Sequence, residues 1–384
     1  MTATLAPPPL KPPPPTAPPG SSPNGRTKRR RHRKLRAVAL ILVILMIPTS
    51  WSYSHALSAP GSQGWKVATV EWFRDHGFNG VVNHFELAWL KSHSPPQGGR
   101  PSAVPSSTGA VAALPRVPTP ALRPLPGEGV WRAVPSSAGT ASGLSTTFIR
   151  PDAKHTRYVT GLARLDPQLV RFRLVAGTTQ PGGSGWSWGG MVPTDQRARL
   201  VAAFNSGFKM KDAQGGLFAE GRTARPLVMG RASLVIRNDG TADVLKWGRD
   251  IASTNGAAAV RQNLQLIVDQ GSVVPDLAAN PNQQWGNQAA GVYTWRSALG
   301  VDRQGKVIYA GGDGMDLVSL ANTMRRAGAV RAMELDIHNR MVTFNMFQQT
   351  TKGLRGAKLT PSMPDSAFRY LSTDQRDFVA VFGR

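Results

Sequence analysis

The chain has 384 residues, among them 31 prolines, 40 glycines and no cysteine. Without cysteine, neither a disulfide framework nor a thiolate metal site can form, which excludes zinc-finger and redox classes. The formal net charge is +24, but nine basic residues lie before residue 37 with no acidic residue among them, and subtracting these nine leaves +15. The other basic residues are dispersed and not interleaved with aromatic ones, which argues against nucleic acid as a partner and favours an anionic surface or substrate.

The first part of the chain is predicted to hold it in a membrane. Residues 1–34 are rich in proline and then in arginine, which predicts a disordered cytoplasmic tail. Residues 35–55 contain the apolar run 37–47 and end near the interfacial aromatic residues Trp51 and Tyr53. Because positive charge stays in the cytoplasm, we expect one transmembrane signal anchor, an N-terminus inside and all that follows outside the cell membrane.

A second interpretation of this segment is a cleaved signal peptide. Its apolar region is short enough, and a small-residue exit lies at 54–56. The long preceding tail and the aromatic residues after the apolar run favour the uncleaved anchor.

Two further segments precede the main domain. Residues 56–93 show apolar stripes broken at Gly77, which predicts juxtamembrane amphipathic helices that lie on the membrane or pack on the domain. Residues 94–128 are rich in proline, glycine and serine, which predicts a flexible linker.

Residues 129–384 are predicted to form the folded domain, of class α+β, with a strand-rich mixed sheet and few helices. The signals for strands include Asn238-Asp239-Gly240, a tight hairpin turn between two apolar runs. One helix is predicted over 316–327, capped near Asp313 or Asp316, with 311–316 as the turn before it. Strands are expected at 156–163, 169–175, 200–204, 232–237, 241–247, 264–269, 298–302, 306–310, 331–338, 341–347 and 378–382.

The segment after that helix carries the most informative pattern. In a strand, alternate residues share a face, so Glu334, Asp336 and His338 would line one surface about 7 Å apart. Two carboxylates in different environments are what glycosyl transfer to water uses. The alternative is a solvated strand face without a function. Asn345 is expected to lie near this group.

Two other segments offer substrate contacts. Asn205 ends an apolar strand, and its amide can donate to and accept from a sugar hydroxyl or a phosphate oxygen. Arg296 precedes a strand, and its guanidinium could bind a phosphate in bidentate fashion. An ordinary turn and an exposed surface arginine are the alternatives. The seven scattered histidines argue against a histidine metal site, and no cofactor is predicted, although a hard cation such as Ca²⁺ on aspartate and backbone oxygens stays open.

The order of these motifs resembles the phosphodiester glycosidase family, related to the lysosomal enzyme that uncovers mannose-6-phosphate. The resemblance rests on 205–208, on 296–300 and on 334–336, and covers about residues 155–384. It implies hydrolysis of a sugar phosphodiester, with Asn205, Arg296 and Asp336 at the positions of the family's site residues.

The chain departs from the family pattern directly after Asp336. Where the family has a glycine run, this chain has Ile337, His338 and Asn339. Either the site is reshaped, with Glu334 and His338 taking polar roles, or catalysis is lost.

The sequence therefore predicts a membrane-anchored hydrolase of glycosyl phosphodiesters in the cell envelope, with Asp336 and Glu334 as acid and base and Asn205, Arg296, His338 and Asn345 at the substrate. The alternative is a non-catalytic module that binds an anionic envelope glycan or lipid.

Overall fold

The structure is a computed structural model that describes Pro12 and residues 24–58, 64–106, 109–135, 141–277 and 291–384. The chain divides into two compact units, Met1–His55 and Ala56–Arg384. The predictions for residues 1–23, Pro12 apart, fall outside the described part.

Helix α1, Asn24–Ser58, forms the first unit from residue 24 onward and ends three residues past its boundary. This helix contains the predicted span 35–55, and it also includes the basic run that the sequence assigned to a disordered tail. Among the described residues, no helix combines the length and the apolar character that crossing a membrane requires.

The second unit begins with two helices joined by a tight π-type turn. Helix α2, Trp65–Phe73, and helix α3, Asn79–Ser92, are separated at Gly77, whose φ of 90° breaks the helical path. The helices predicted for 56–93 are therefore present. Residues 94–106 and 109–128 contain no named helix or strand, yet Val117 is buried and Glu128 pairs with Arg150. The described part of the predicted linker is thus packed on the domain.

The regular elements in the rest of the described domain are eighteen strands, one α-helix, α4, and two short 3-10 helices, Thr194–Arg199 and Arg369–Leu371. Helix α4 spans Leu317–Arg326, and Asp316 caps it by accepting a hydrogen bond from the Ser319 amide, as predicted. The strands are β1 Arg132–Pro135, β2 Ala141–Ile149, β3 Thr160–Leu165, β4 Val170–Val175, β5 Leu200–Asn205, β6 Leu217–Ala219, β7 Arg222–Arg225, β8 Ala232–Arg237, β9 Ala242–Lys246, β10 Ala257–Gln262, β11 Leu266–Asp269, β12 Ser272–Val273, β13 Thr294–Asp302, β14 Val307–Met315, β15 Ala329–Ile337, β16 Phe344–Thr350, β17 Gly353–Lys358 and β18 Phe378–Gly383.

The strands form three sheets. One has eight strands in the order β1-β2-β3-β14-β13-β15-β11-β12, and the others have the orders β7-β6-β10-β8-β9 and β17-β16-β5-β18-β4. The α+β class is confirmed. All pairings between the named strands are antiparallel, so the expected mixed sheet is wrong.

The largest core cluster joins all three sheets. It includes Phe204 from β5, Leu234 from β8, Leu299 from β13 and Leu335 from β15. Helix α4 covers the other face of the eight-stranded sheet through an apolar stripe of residues spaced three and four apart, such as Leu317, Leu320, Ala321 and Met324. The sheets therefore hold the ends of β5 and β15 in fixed positions.

The prediction of a turn at residues 311–316 is wrong. Strand β14 continues through it to Met315, and Gly312 lies in the sheet opposite Thr160 of β3. A Cβ on Gly312 would come within 2.7 Å of the Val159 carbonyl oxygen, so the glycine reflects close strand packing and not a turn.

Candidate active site

A cavity of about 560 Å³ lies at the end of β15. Asp336, Ile337 and His338 line it, which places one of the two predicted carboxylates and the predicted imidazole in the same cavity. Other polar lining groups include Lys209 and Asp212 from the loop after β5 and Arg376 from the chain before β18. Glu71 of α2 and Arg74, directly after α2, also line it.

Asp336 is buried and bonded on both oxygens. Its Oδ2 lies 2.6 Å from Nη2 of Arg376, and its Oδ1 accepts a hydrogen bond from the Ile337 amide at 2.9 Å. Burial raises the pKa of Asp336 above its ordinary value, although the Arg376 guanidinium and His338 oppose this. Nε of Arg376 is buried without a hydrogen-bond partner, so this guanidinium keeps a donor for a further acceptor.

His338 follows β15 directly and has an unusual backbone conformation. Its backbone φ is +80°, in the left-handed region that glycine favours and other residues seldom adopt. The loop therefore keeps a glycine-type backbone although the residue is histidine. Its amide donates to the Trp295 carbonyl oxygen at 3.0 Å, which holds the loop against β13.

Glu334 and Arg296 do not line the cavity. They form a fully buried pair, with Oε1 of Glu334 2.5 Å from Nη1 of Arg296. Burial raises the pKa of Glu334 to about 7, against the effect of Arg296. The remaining guanidinium nitrogens of Arg296 donate to the carbonyl oxygens of Met315 and Val292, so all three are occupied. The expected phosphate contact by Arg296 has no support in this geometry.

Asn205 is buried behind the cavity and orients the strand that carries Asp336. Its Nδ2 donates to Oγ of Ser297 at 2.9 Å, and Ser297 donates to the carbonyl oxygen of Asp336 at 2.7 Å. Its Oδ1 accepts from Tyr309 and from the Thr343 amide. Asn345 is also buried outside the cavity lining, bonded to the Ser366 carbonyl oxygen at 3.4 Å.

Helix α2 supplies a residue set that the sequence analysis left out of the site. Glu71 pairs with Lys209 and, at 3.0 Å, with Nη1 of Arg74. Burial by itself would raise the pKa of Glu71, but Lys209, Arg74 and Arg376 together lower it to about 2. Among the carboxyl groups that line the cavity, Glu71 and Asp336 therefore have opposite pKa shifts, with Glu71 ionised and Asp336 inclined to keep its proton. In the sequence, the indication that α2 contributes to the site was Glu71, an acidic residue within the apolar stripe of 65–73.

The donors in the cavity do not form a metal site. Asp212 and Asp313 line it, and burial raises the pKa of both carboxyl groups, which favours their neutral forms. In the described part of the chain, no three acidic or histidine side chains converge closely enough to hold a cation. The calcium site that the sequence left open thus has no support there.

The chain is thus a strand-rich α+β domain in which a cavity holds a carboxylate–guanidinium pair, Asp336 and Arg376. Residues 198–336 match the model of the phosphodiester glycosidase family, which confirms the resemblance in the sequence and assigns this segment to that family. The match contains Asn205, Arg296, Glu334 and Asp336, while Arg376 lies beyond it.

Two solved structures are similar to the chain. The catalytic domain of zebrafish N-acetylglucosamine-1-phosphodiester alpha-N-acetylglucosaminidase has 18% sequence identity and a TM-score of 0.43, covering 66% of this chain and 87% of that chain. A hypothetical protein from Synechocystis has 13% identity and a TM-score of 0.35, covering 64% of this chain and 63% of that chain. No curated protein sequence matches the chain.

Proposed function

We propose that the protein is a membrane-anchored, extracytoplasmic hydrolase of a glycosyl phosphodiester bond in the cell envelope. The observation that carries the proposal is the pair of Asp336 and Arg376 in the cavity, next to the end of the family-matched segment. The apolar run 37–47 and the arginines before it support the anchor and the orientation. The match to the phosphodiester glycosidase family supports a glycosyl phosphodiester as the bond that is cleaved.

In this proposal, Asp336 is the acid that protonates the leaving phosphate oxygen. Its raised pKa lets it hold a proton closer to neutral pH than an ordinary aspartate does. Arg376 binds the phosphate through the donor that has no partner in the protein. When the phosphate takes Arg376, Asp336 loses the cation that lowers its pKa, and the proton is held more firmly until it is transferred.

The other predicted residues take supporting roles. His338 contacts the substrate from the cavity wall, and Asn205 positions Asp336 through Ser297. Glu334 and Arg296 fix β15 against β13 behind the cavity and do not touch the substrate. The proposal therefore assigns proton transfer to Asp336 without Glu334, and phosphate binding to Arg376 instead of Arg296.

The test is release of sugar from a panel of glycosyl phosphodiesters by the full-length protein. We expect Asp336→Asn to lower kcat by about 10²- to 10⁴-fold, the usual contribution of a general acid. Arg376→Lys should chiefly raise KM, because lysine keeps the charge but not the planar donors. Asp195→Asn, on an exposed turn, is the matched control and should behave as wild type.

Two results would reject the hydrolase. One is no release from any diester by the wild type, and the other is an unchanged rate in Asp336→Asn. Retained binding of the same diesters without turnover would instead support the binding module, in which the residues after Asp336 no longer permit catalysis.

A further inference from the structure

The α2–α3 hairpin, residues 65–92, is tied to the cavity by ion pairs on one side. Asp75 lies 3.1 Å from Lys209 and 2.8 Å from Lys211, and Glu71 also pairs with Lys209. Both lysines belong to the loop after β5, close to the residues that line the cavity. The hairpin therefore forms a wall of the cavity.

The cavity reaches the surface beside apolar side chains of this hairpin. Val70 and Trp89 line the cavity, and they are also 40% and 58% exposed. A side chain that lines a cavity and is exposed as well marks the place where that cavity opens. On the hairpin side the entrance thus combines the apolar Val70 and Trp89 with the exposed Lys66, while Asp336 and Arg376 are buried farther inside.

The hairpin exposes large apolar side chains at a much higher density along the chain than the rest of the described domain does. Within residues 65–89, seven large apolar side chains are 40% to 70% exposed, against eight in all the described residues of 94–384. Exposed apolar patches of this density mark interaction sites, and helices with tryptophan and phenylalanine on one face bind at membrane interfaces. The seven are Trp65, Val70, Phe73, Phe78, Val81, Phe85 and Trp89.

The position of the hairpin in the chain identifies the bilayer as its partner. Only six residues separate Ser58, the end of α1, from Trp65, so the chain between them spans at most about 25 Å. The described apolar residues of α1, such as Ile44 and Ile47, are also exposed, and α1 contains the anchor of the proposed function.

We propose that the hairpin lies on the surface of a phospholipid bilayer and that the cavity opens at this surface, so that the substrate is a glycosyl phosphodiester of a membrane lipid. This inference rests on the proposed function and names its substrate class. Water adds its oxygen to the anomeric carbon, the bond from this carbon to the phosphate oxygen breaks, and Asp336 gives that oxygen a proton. The proton of the attacking water goes to solvent. The products are a free sugar, which leaves to the aqueous side, and a lipid phosphate, which stays in the bilayer.

The absence of cysteine gives a direct test of the surface. Phe85→Cys and Met229→Cys, at residues that are 70% and 68% exposed, each create one labelling site for an environment-sensitive fluorophore. In the full-length protein reconstituted into vesicles of phosphatidylcholine and phosphatidylglycerol, we expect a blue shift and quenching by nitroxide lipids at position 85 only. Equal quenching at both positions, or none at 85, would overturn the proposal. A blue shift at position 85 that depends on protein concentration and occurs without lipid would also overturn the proposal, because a second copy of the chain would then cover this face.

The substrate class is tested with the double variant Phe78→Ser/Phe85→Ser, which changes exposed residues outside the cavity lining. We expect at least a tenfold lower rate on a glycosyl phospholipid held in vesicles and an unchanged rate on a short-chain, water-soluble diester. Equal rates on both substrates would contradict the lipid class and leave the hydrolase in place. If the wild type cleaves neither, the proposed function itself fails, and this failure is seen separately from the fluorescence result.

Discussion

At the residue scale, the two buried carboxyl groups of β15 differ in their partners and in their access to the cavity. Glu334 meets an arginine whose guanidinium nitrogens are all occupied by protein acceptors. Asp336 meets Arg376, which keeps one buried donor without a partner. Oε2 of Glu334 is also buried without a partner, but neither Glu334 nor Arg296 lines the cavity, whereas Asp336 and Arg376 do and can meet a ligand there. This difference assigns the chemistry to Asp336.

His338 gives a prediction that separates backbone strain from chemistry. Both His338→Gly and His338→Ala remove the imidazole from the cavity, but only glycine adopts a φ of +80° without strain. We expect the glycine variant to be about 1 kcal/mol more stable than the alanine variant in urea unfolding. If the imidazole contacts the substrate, both variants should lose activity to the same extent. Activity restored by glycine alone would show that only the backbone matters.

Glu71 gives a prediction about pH. Its negative charge raises the pKa of Asp336, so Glu71→Gln should lower that pKa and move the alkaline limb of the kcat profile to lower pH. The sign follows because the acid form of Asp336 is the active one and would be lost earlier as pH rises. Asp75→Asn is the matched control, since Asp75 pairs with the same Lys209 but does not line the cavity. An identical alkaline limb in Glu71→Gln and wild type would contradict the role of Glu71.

At the element scale, sequence patterns located the regular elements well where apolar periodicity was strong. The predicted 232–237 coincides with β8, and the helix predicted over 316–327 is α4 within one residue at each end. Strands β10 and β17 were missed because their sequences, rich in alanine, glycine and charged residues, lack the β-branched signal. Their pairing with neighbouring strands determines their conformation, and a single sequence does not show it.

The site was predictable only as far as it lies on one strand. The alternation of side chains along β15 predicted that Asp336 and Glu334 share one face. It could not show that Asp336 lines the cavity and Glu334 does not. Arg376 lies forty positions from Asp336 and immediately before β18, with no motif around it. Its contact depends on β18 pairing with β5, a long-range contact that residue spacing does not reveal.

The strand β18 is joined to the site by a second buried pair, which gives a stability prediction. Nε of Arg261 lies 2.8 Å from Oδ2 of Asp377, with both side chains almost fully buried, and Arg261 also donates to the Phe208 carbonyl oxygen beside the cavity. Asp377→Asn leaves a buried guanidinium without its anion, so we expect a loss of about 3–5 kcal/mol in the free energy of unfolding. Asp269→Asn breaks the exposed pair with Arg249 and should cost at most about 1 kcal/mol. Equal losses in chemical denaturation would contradict this account.

At the scale of the whole molecule, the described residues of 94–128 belong to the domain more closely than their composition indicates. Proline and glycine content predicted a flexible linker, because composition reports chain stiffness and apolar content but not contacts. The described structure instead connects this segment to the sheet at several points. Gly98 donates to the Lys154 carbonyl oxygen at 2.7 Å, and Val117 donates to that of Gly129 at 2.9 Å.

This packing predicts how the chain responds to shortening. A protein that begins at residue 129 loses Glu128, which leaves the buried Arg150 without its carboxylate, and it also loses the buried Val117. We expect it to be less stable by several kcal/mol than a protein that begins at residue 94, which keeps both. A protein that begins at residue 94 should in turn lie within about 2 kcal/mol of one that begins at residue 56. That step removes the pairs of Glu71 and Asp75 with Lys209 and Lys211, whose carboxylates are partly or largely exposed, and the small buried side chain of Ala68. Urea unfolding of the three proteins measures these differences. Equal unfolding midpoints for the proteins that begin at residues 94 and 129 would show that residues 94–128 are a flexible linker.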